Sequence, residues 1–111
     1  MLKQNVLRNK KDFSTIYNRG KSFGGKYIVL FVRRNNLSYN RLGFLASKKV
    51  GNSVIRNRAR RLMKESYRVL EPKVGTGYDL IFIARNTING VKCDEVLKSV
   101  EVLIKRAGIL K

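Results

Sequence analysis

Apolar positions along the chain follow two periods, and the changes between them mark out the elements. Phe13, Ile16 and Tyr17 fall at i, i+3 and i+4. Asn9 stands before them as a candidate helix cap, Asp12 suits the first turn, and Gly20 ends the segment. Tyr27 to Arg33 is rich in β-formers and reads as a strand, as does Arg41 to Ser47. Turn residues Asn35–Asn36 and Ser38–Asn40 lie between them, so the two strands are expected to pair as a hairpin. The loop Lys48–Asn52 leads into a long helix from about Ser53 to Leu70, which Pro72 halts. Tyr78–Arg85 follows the Gly75–Gly77 loop as another strand. Asn89–Gly90 then turns the chain into a last helix, where Val96, Leu97, Val100, Leu103, Ile104 and Ala107 keep helical spacing. This order predicts an α+β sandwich: one small mixed sheet with helices on one face.

The long helix changes the picture most. With Ile55 as origin, Ile55, Ala59, Leu62, Val69 and Leu70 fall within about 60° of one direction, and Met63 lies close by. Arg56, Arg60, Lys64, Arg68 and Arg61 occupy the other side, with Asn57 among them. From Lys48 to Arg68, 8 of 21 residues are Lys or Arg and Glu65 is the only acid. Solvated helix faces usually alternate sign at i, i+4, whereas this ladder is like-charged and costs a few tenths of a kcal/mol per pair in isolation. A polyanion would relieve it, and Arg suits planar phosphate recognition.

Composition points the same way. In 111 residues, 25 Lys and Arg face 7 Asp and Glu, a net charge of +18 with no His. That length fits a single domain, 1–111, and the charge calls for a polyanionic partner: nucleic acid is the commonest, with an anionic membrane or an acidic protein as alternatives. Without His, a His base, a Ser–His or Cys–His pair and a His-ligated metal are excluded. The acids Asp12, Glu65, Glu71, Asp79, Asp94, Glu95 and Glu101 are scattered, so the sequence offers no catalytic residues and no metal site. Cys93 is the single cysteine and fits a reducing compartment. The N-terminus lacks a signal-like apolar stretch, and the longest apolar runs fall far short of a membrane span of roughly 20 residues. A cytoplasmic location and no membrane partner are expected.

A second binding surface is readable on the sheet. Ile28, Leu30 and Val32 point one way along the first strand, and Tyr27, Val29, Phe31 and Arg33 point the other. In the next strand Leu42, Phe44 and Ala46 suit the core and leave Gly43, Leu45 and Ser47 on the opposite face, where a small residue such as Gly43 would let a ligand backbone come close. Phe13 and Tyr17, one turn apart, could wall that face. Aromatics beside Arg suit base stacking, although an i, i+4 aromatic pair is more often core.

The stretch Lys48–Lys49–Val50–Gly51–Asn52–Ser53–Val54–Ile55–Arg56–Asn57–Arg58–Ala59–Arg60–Arg61–Leu62 closely resembles the signature of the bacterial ribonuclease P protein subunit, with Arg-Asn-Arg opening a long helix after a Lys-Lys-x-Gly-Asn loop. Arg8 to Gly20 resembles that family's first helix, Arg41–Leu42–Gly43 the strand before the loop, and Ile83–Ala84–Arg85 the last strand. The resemblance implies a left-handed βαβ crossover, which runs against the usual hand. It also implies binding to a large catalytic RNA subunit and to precursor tRNA, whose 5′ leader the complex removes. The chemistry would be carried by the RNA with Mg²⁺, and no obligate protein partner is expected. By the same resemblance Lys48, Lys49, Asn52, Arg56, Asn57, Arg58, Arg60, Arg61 and Lys64 would face the RNA subunit, and Phe13, Tyr17 and Phe31 the leader. The residues alone leave open a ribosomal protein or RNA chaperone, and a nucleoid-type DNA binder. An acidic membrane is the weakest alternative, because no amphipathic helix exposes a large apolar face.

Overall fold

The apolar run after Asp79 has side chains to bury on both faces, and that places it at the centre of the sheet. The computed structural model describes residues 6, 7 and 9–111. Its elements are α1 (Lys10–Arg19), β1 (Lys21–Gly24), β2 (Ile28–Arg34), β3 (Arg41–Ala46), α2 (Ser53–Leu70), β4 (Tyr78–Ala84) and α3 (Cys93–Ala107). The strand order is β1-β2-β4-β3. β4 runs antiparallel to β2 (Leu30 opposite Phe82) and parallel to β3 (Phe44 opposite Phe82), so the sheet is mixed. Leu80, Ile81 and Phe82 are all buried, as a strand covered on both faces requires.

The expected hairpin between the second and third strands does not form. β4 lies between them, and β2 pairs instead with β1, a strand the hydrophobic pattern missed. β1 holds one large apolar residue, Phe23, and is otherwise exposed at the sheet edge, where Lys21 discourages further pairing. Parallel pairing of β3 with β4 requires a crossover longer than a turn, and α2 supplies it.

α2 and α3 pack on one face over the main core of Ile28, Leu30, Leu42, Leu80 and Phe82, which meets Ala59, Leu62, Met63, Tyr67 and Leu70 of α2 and Val96, Val100, Leu103 and Ile104 of α3. α1 packs on the other face, where Leu7, Ile16 and Ile81 form a smaller buried cluster. Caps set the helix ends, at Asn9 as the sequence predicts and at Asn52 and Gly108 without a sequence expectation of capping. Asn9 accepts from the Lys11 N–H, and Asn52 accepts from the Ile55 N–H at 3.0 Å. Gly108, at φ +71°, closes α3 in the left-handed conformation.

One buried charge is fully answered. The Asp79 carboxylate accepts from Arg41 Nε at 2.8 Å, from Arg41 Nη2 at 2.7 Å and from Asn35 Nδ2 at 2.9 Å. Arg41 also reaches Asp12 of α1 at 3.4 Å, which ties that helix to the sheet. Its hydrogen bonds to Asp79 raise the Arg41 pKa above its ordinary value, so the guanidinium stays charged. Arg41→Ala would strand Asp79 without its cation, a loss of about 3–5 kcal/mol. Urea unfolding of the two proteins measures it, and a loss under about 1 kcal/mol would show that the pair contributes little.

Candidate nucleic-acid interface

The buried stripe of α2 is turned relative to the one its periodicity suggests. Ser66 and Tyr67 are buried, while Ile55 is 38% exposed and Val69 61% exposed. Ile55 sits in the first turn, beyond the sheet's cover. Tyr67 is drawn in because its ring packs on Phe82 at 5.6 Å and its hydroxyl accepts from Asn40 Nδ2 at 3.3 Å. Burial raises the Tyr67 pKa.

This rotation sorts the cations. Arg61 and Lys64 are exposed, Arg56 and Arg60 are half-buried, and Lys48 and Lys49 are exposed in the loop before the helix. Arg68 is answered by Glu65 at 2.9 Å. Among the described residues, Arg56 Nε is buried without a hydrogen-bond partner, while its Nη2 donates to Ser53 Oγ at 3.2 Å. Asn57 accepts from Arg60, and the Asn52 oxygen is committed to the helix cap. Arg58 points away from the ladder, toward α3, and donates to the Val91 carbonyl at 3.1 Å. Of the nine residues expected at this surface, Asn52, Arg56, Asn57, Arg58 and Arg60 already hold intramolecular bonds, and Arg58 is turned away from the others.

The aromatics assemble on the opposite sheet face. Tyr17 meets Phe31 edge-on at 5.0 Å between ring centres and lies 6.4 Å from Phe13. Phe13 and Phe31 are half-buried against the Leu7–Ile16–Ile81 cluster, and Tyr17 is 40% exposed. Burial raises the Tyr17 pKa, which keeps its hydroxyl neutral. Tyr27, expected on this face, packs against the main core instead. Gly43 does not lie open to a ligand. A Cβ there would sit 3.0 Å from Phe13 Cε1, so it is the Phe13 ring that the missing side chain admits.

Phe13 and the α2 cations share a groove of about 520 Å³, lined also by Leu7, Leu45, Arg60, Arg61 and Lys64. Sequence periodicity treats the ladder and the aromatic wall as separate sites, and the groove joins them. Leu45 falls on this face as strand alternation predicts, while Leu7 and Glu65 on the groove walls carry no sequence signal. Neither does Arg41, whose acidic partners lie 29 and 38 positions away. Cations beside half-exposed rings suit single-stranded nucleic acid. Among the described residues no group of three His, Cys, Asp or Glu side chains could hold a metal ion, and Asp79 is consumed by Arg41. No helix among them is long and apolar enough to cross a membrane.

Comparison with known proteins agrees over almost the whole chain. The family model described as Ribonuclease P matches residues 1–108. The ribonuclease P protein component of Clostridium kluyveri is 51% identical over 110 residues, which covers 96% of this chain and 98% of that protein. The same component from Clostridium botulinum strain Langeland is 47% identical over 109 residues, with 97% and 98% covered. Among solved structures, the RNase P protein of Staphylococcus aureus superimposes with a TM-score of 0.87 at 29% identity, with 96% of this chain and 98% of that one covered. The protein from Thermotoga maritima gives 0.83 at 30% identity, with 91% and 96% covered.

Proposed function

This chain belongs to the ribonuclease P protein family, and from that premise we propose that it binds the catalytic RNA on one surface and the 5′ leader of precursor tRNA on another. As a ribonuclease P protein component it is a subunit of that endoribonuclease and a partner of its RNA subunit. The observation that carries the finer reading is the groove where Phe13 meets Arg60, Arg61 and Lys64.

In this reading Arg56, Arg60, Arg61 and Lys64, with Lys48 and Lys49, neutralise phosphates of the RNA subunit. Asn52 and Asn57 hold the backbone and the Arg60 side chain that present them. Phe13, Tyr17 and Phe31 stack the unpaired bases of the leader, which mature tRNA lacks. Bringing two polyanions together on adjoining surfaces of one cationic domain lowers their mutual repulsion and favours substrate capture. The protein contributes no general acid or base. Mg²⁺ belongs to the RNA subunit in this account, because the described side chains do not fit a metal site, and no step is routed through a metal on the protein. The complex would work in the cytoplasm.

The RNA that copurifies with the tagged protein tests this reading. One structured, non-ribosomal RNA is expected to dominate. Ribosomes or mixed DNA in its place would overturn the proposal in favour of a general nucleic-acid binder.

A further inference from the structure

Two hydrogen bonds tie the segment before α3 to the loop that precedes α2 and to α2 itself, although neither lies in the sheet. Asn89 Nδ2 donates to the Val50 carbonyl at 2.6 Å, and the Val91 carbonyl accepts from Arg58 Nη2 at 3.1 Å. The donor segment is itself compact. The Asn89 N–H donates to the Asn86 carbonyl at 3.3 Å, and the Val91 N–H to the Ile88 carbonyl at 3.2 Å. Ile88 is buried in the main core and anchors the turn. The recipient is the loop that carries Lys48 and Lys49. Val50 is its buried residue, and the Val50 N–H donates to the Ser47 carbonyl at 3.0 Å.

We propose that Asn89 is a positioning residue for the RNA-facing loop, with Arg58 as the second point of the same brace. The proposal rests on the reading of the α2 face as the RNA-subunit surface. Asn89 touches the loop backbone from outside, at the carbonyl between the lysines and the helix cap. Arg58 fixes the first turns of α2 to the same turn, on the α3 side of the helix and away from the Arg60–Lys64 ladder. With both bonds made, Lys48, Lys49 and the helix N-terminus are held in one arrangement before RNA arrives. Without them, the loop must be ordered at the moment of binding, and that ordering subtracts from affinity.

Salt dependence separates a brace from a phosphate contact. Titrations of the full chain with ribonuclease P RNA at several salt concentrations should show Asn89→Ala binding about 3–10-fold more weakly, the scale of one side-chain hydrogen bond. Its log–log salt slope should stay unchanged, because the same phosphates are neutralised once the loop is reordered. Amide exchange at Val50 and Gly51 should quicken while the melting temperature barely moves. Asn89→Gln keeps the amide donor and should recover part of the affinity. Arg60→Ala serves as the comparison, with a slope shallower by about one. Unchanged affinity in Asn89→Ala, with Arg60→Ala weakened, would overturn the brace and leave the interface standing. A slope loss of about one in Asn89→Ala would overturn it too, by making Asn89 part of a phosphate contact. No effect from either variant would overturn the interface reading itself. Global unfolding of both Asn89 variants would also sink the brace, because Asn89 would then serve the whole fold.

Discussion

Affinity of this protein for ribonuclease P RNA should fall roughly 10³–10⁵-fold between about 50 and 200 mM salt. That range follows from six to ten phosphate contacts on a duplex-like RNA, and single strands would give a somewhat smaller drop. The structure supplies the cations. Lys48, Lys49, Arg61 and Lys64 are exposed, and Arg56 and Arg60 are half-buried beside them. Of the helix cations, Arg68 is held by Glu65, so its removal should matter least. Alanine at Arg60, Arg61 or Lys64 should weaken binding across RNA sequences and make the slope shallower by about one unit each. Unchanged slopes in several single variants would return the ladder to a solvated face.

The second large effect separates the leader surface from the RNA-subunit surface. Stacking of a base on an aromatic ring contributes roughly 1–3 kcal/mol, so Phe31→Ala or Phe13→Ala should weaken precursor-tRNA binding about 5–150-fold. Mature tRNA affinity and assembly with the RNA subunit should barely change. Both rings are only half-buried, so their removal should cost less than the roughly 3–5 kcal/mol of a fully enclosed Phe. Tyr17 is the cleaner variant because 40% of it is exposed. Parallel melting curves are needed for all three. Equal weakening of precursor and mature tRNA, or unfolding of all three variants, would make these aromatics core residues and remove the leader site.

Local chemistry was legible in the sequence, and long-range pairing was not. Asn52 and Pro72 mark the ends of α2 at Ser53 and Leu70, and Asn9 and Gly20 bound α1. Capping and helix breaking act within a few residues, so a linear reading finds them. The partner of β3 is a different matter. A turn between two strands suggests a hairpin, yet β4 has apolar side chains on both faces and takes the central place. β1 escaped because its exposed edge leaves no alternation to detect. The same division runs through the site. Residue types and spacing identified the cationic helix and the Phe13–Tyr17 pair. The direction of Arg58, the burial of Tyr67 and the covering of Gly43 by Phe13 depend on partners 33, 27 and 30 positions away. Arg8 and the residues before Val6 lie outside the described residues, so the basic N-terminal tail has no structural placement here.

In the proposed division of labour the protein supplies binding while the RNA supplies chemistry. Cleavage of precursor tRNA at low Mg²⁺, with purified protein and a matching RNA subunit added separately and together, tests it most directly. The mixture should remove the 5′ leader with a marked gain over the RNA subunit alone, and repurified protein alone should remove none. Stoichiometric cleavage by protein alone, surviving repurification and lost on mutating one of its carboxylates, would contradict it, as would a mixture no more active than the RNA subunit.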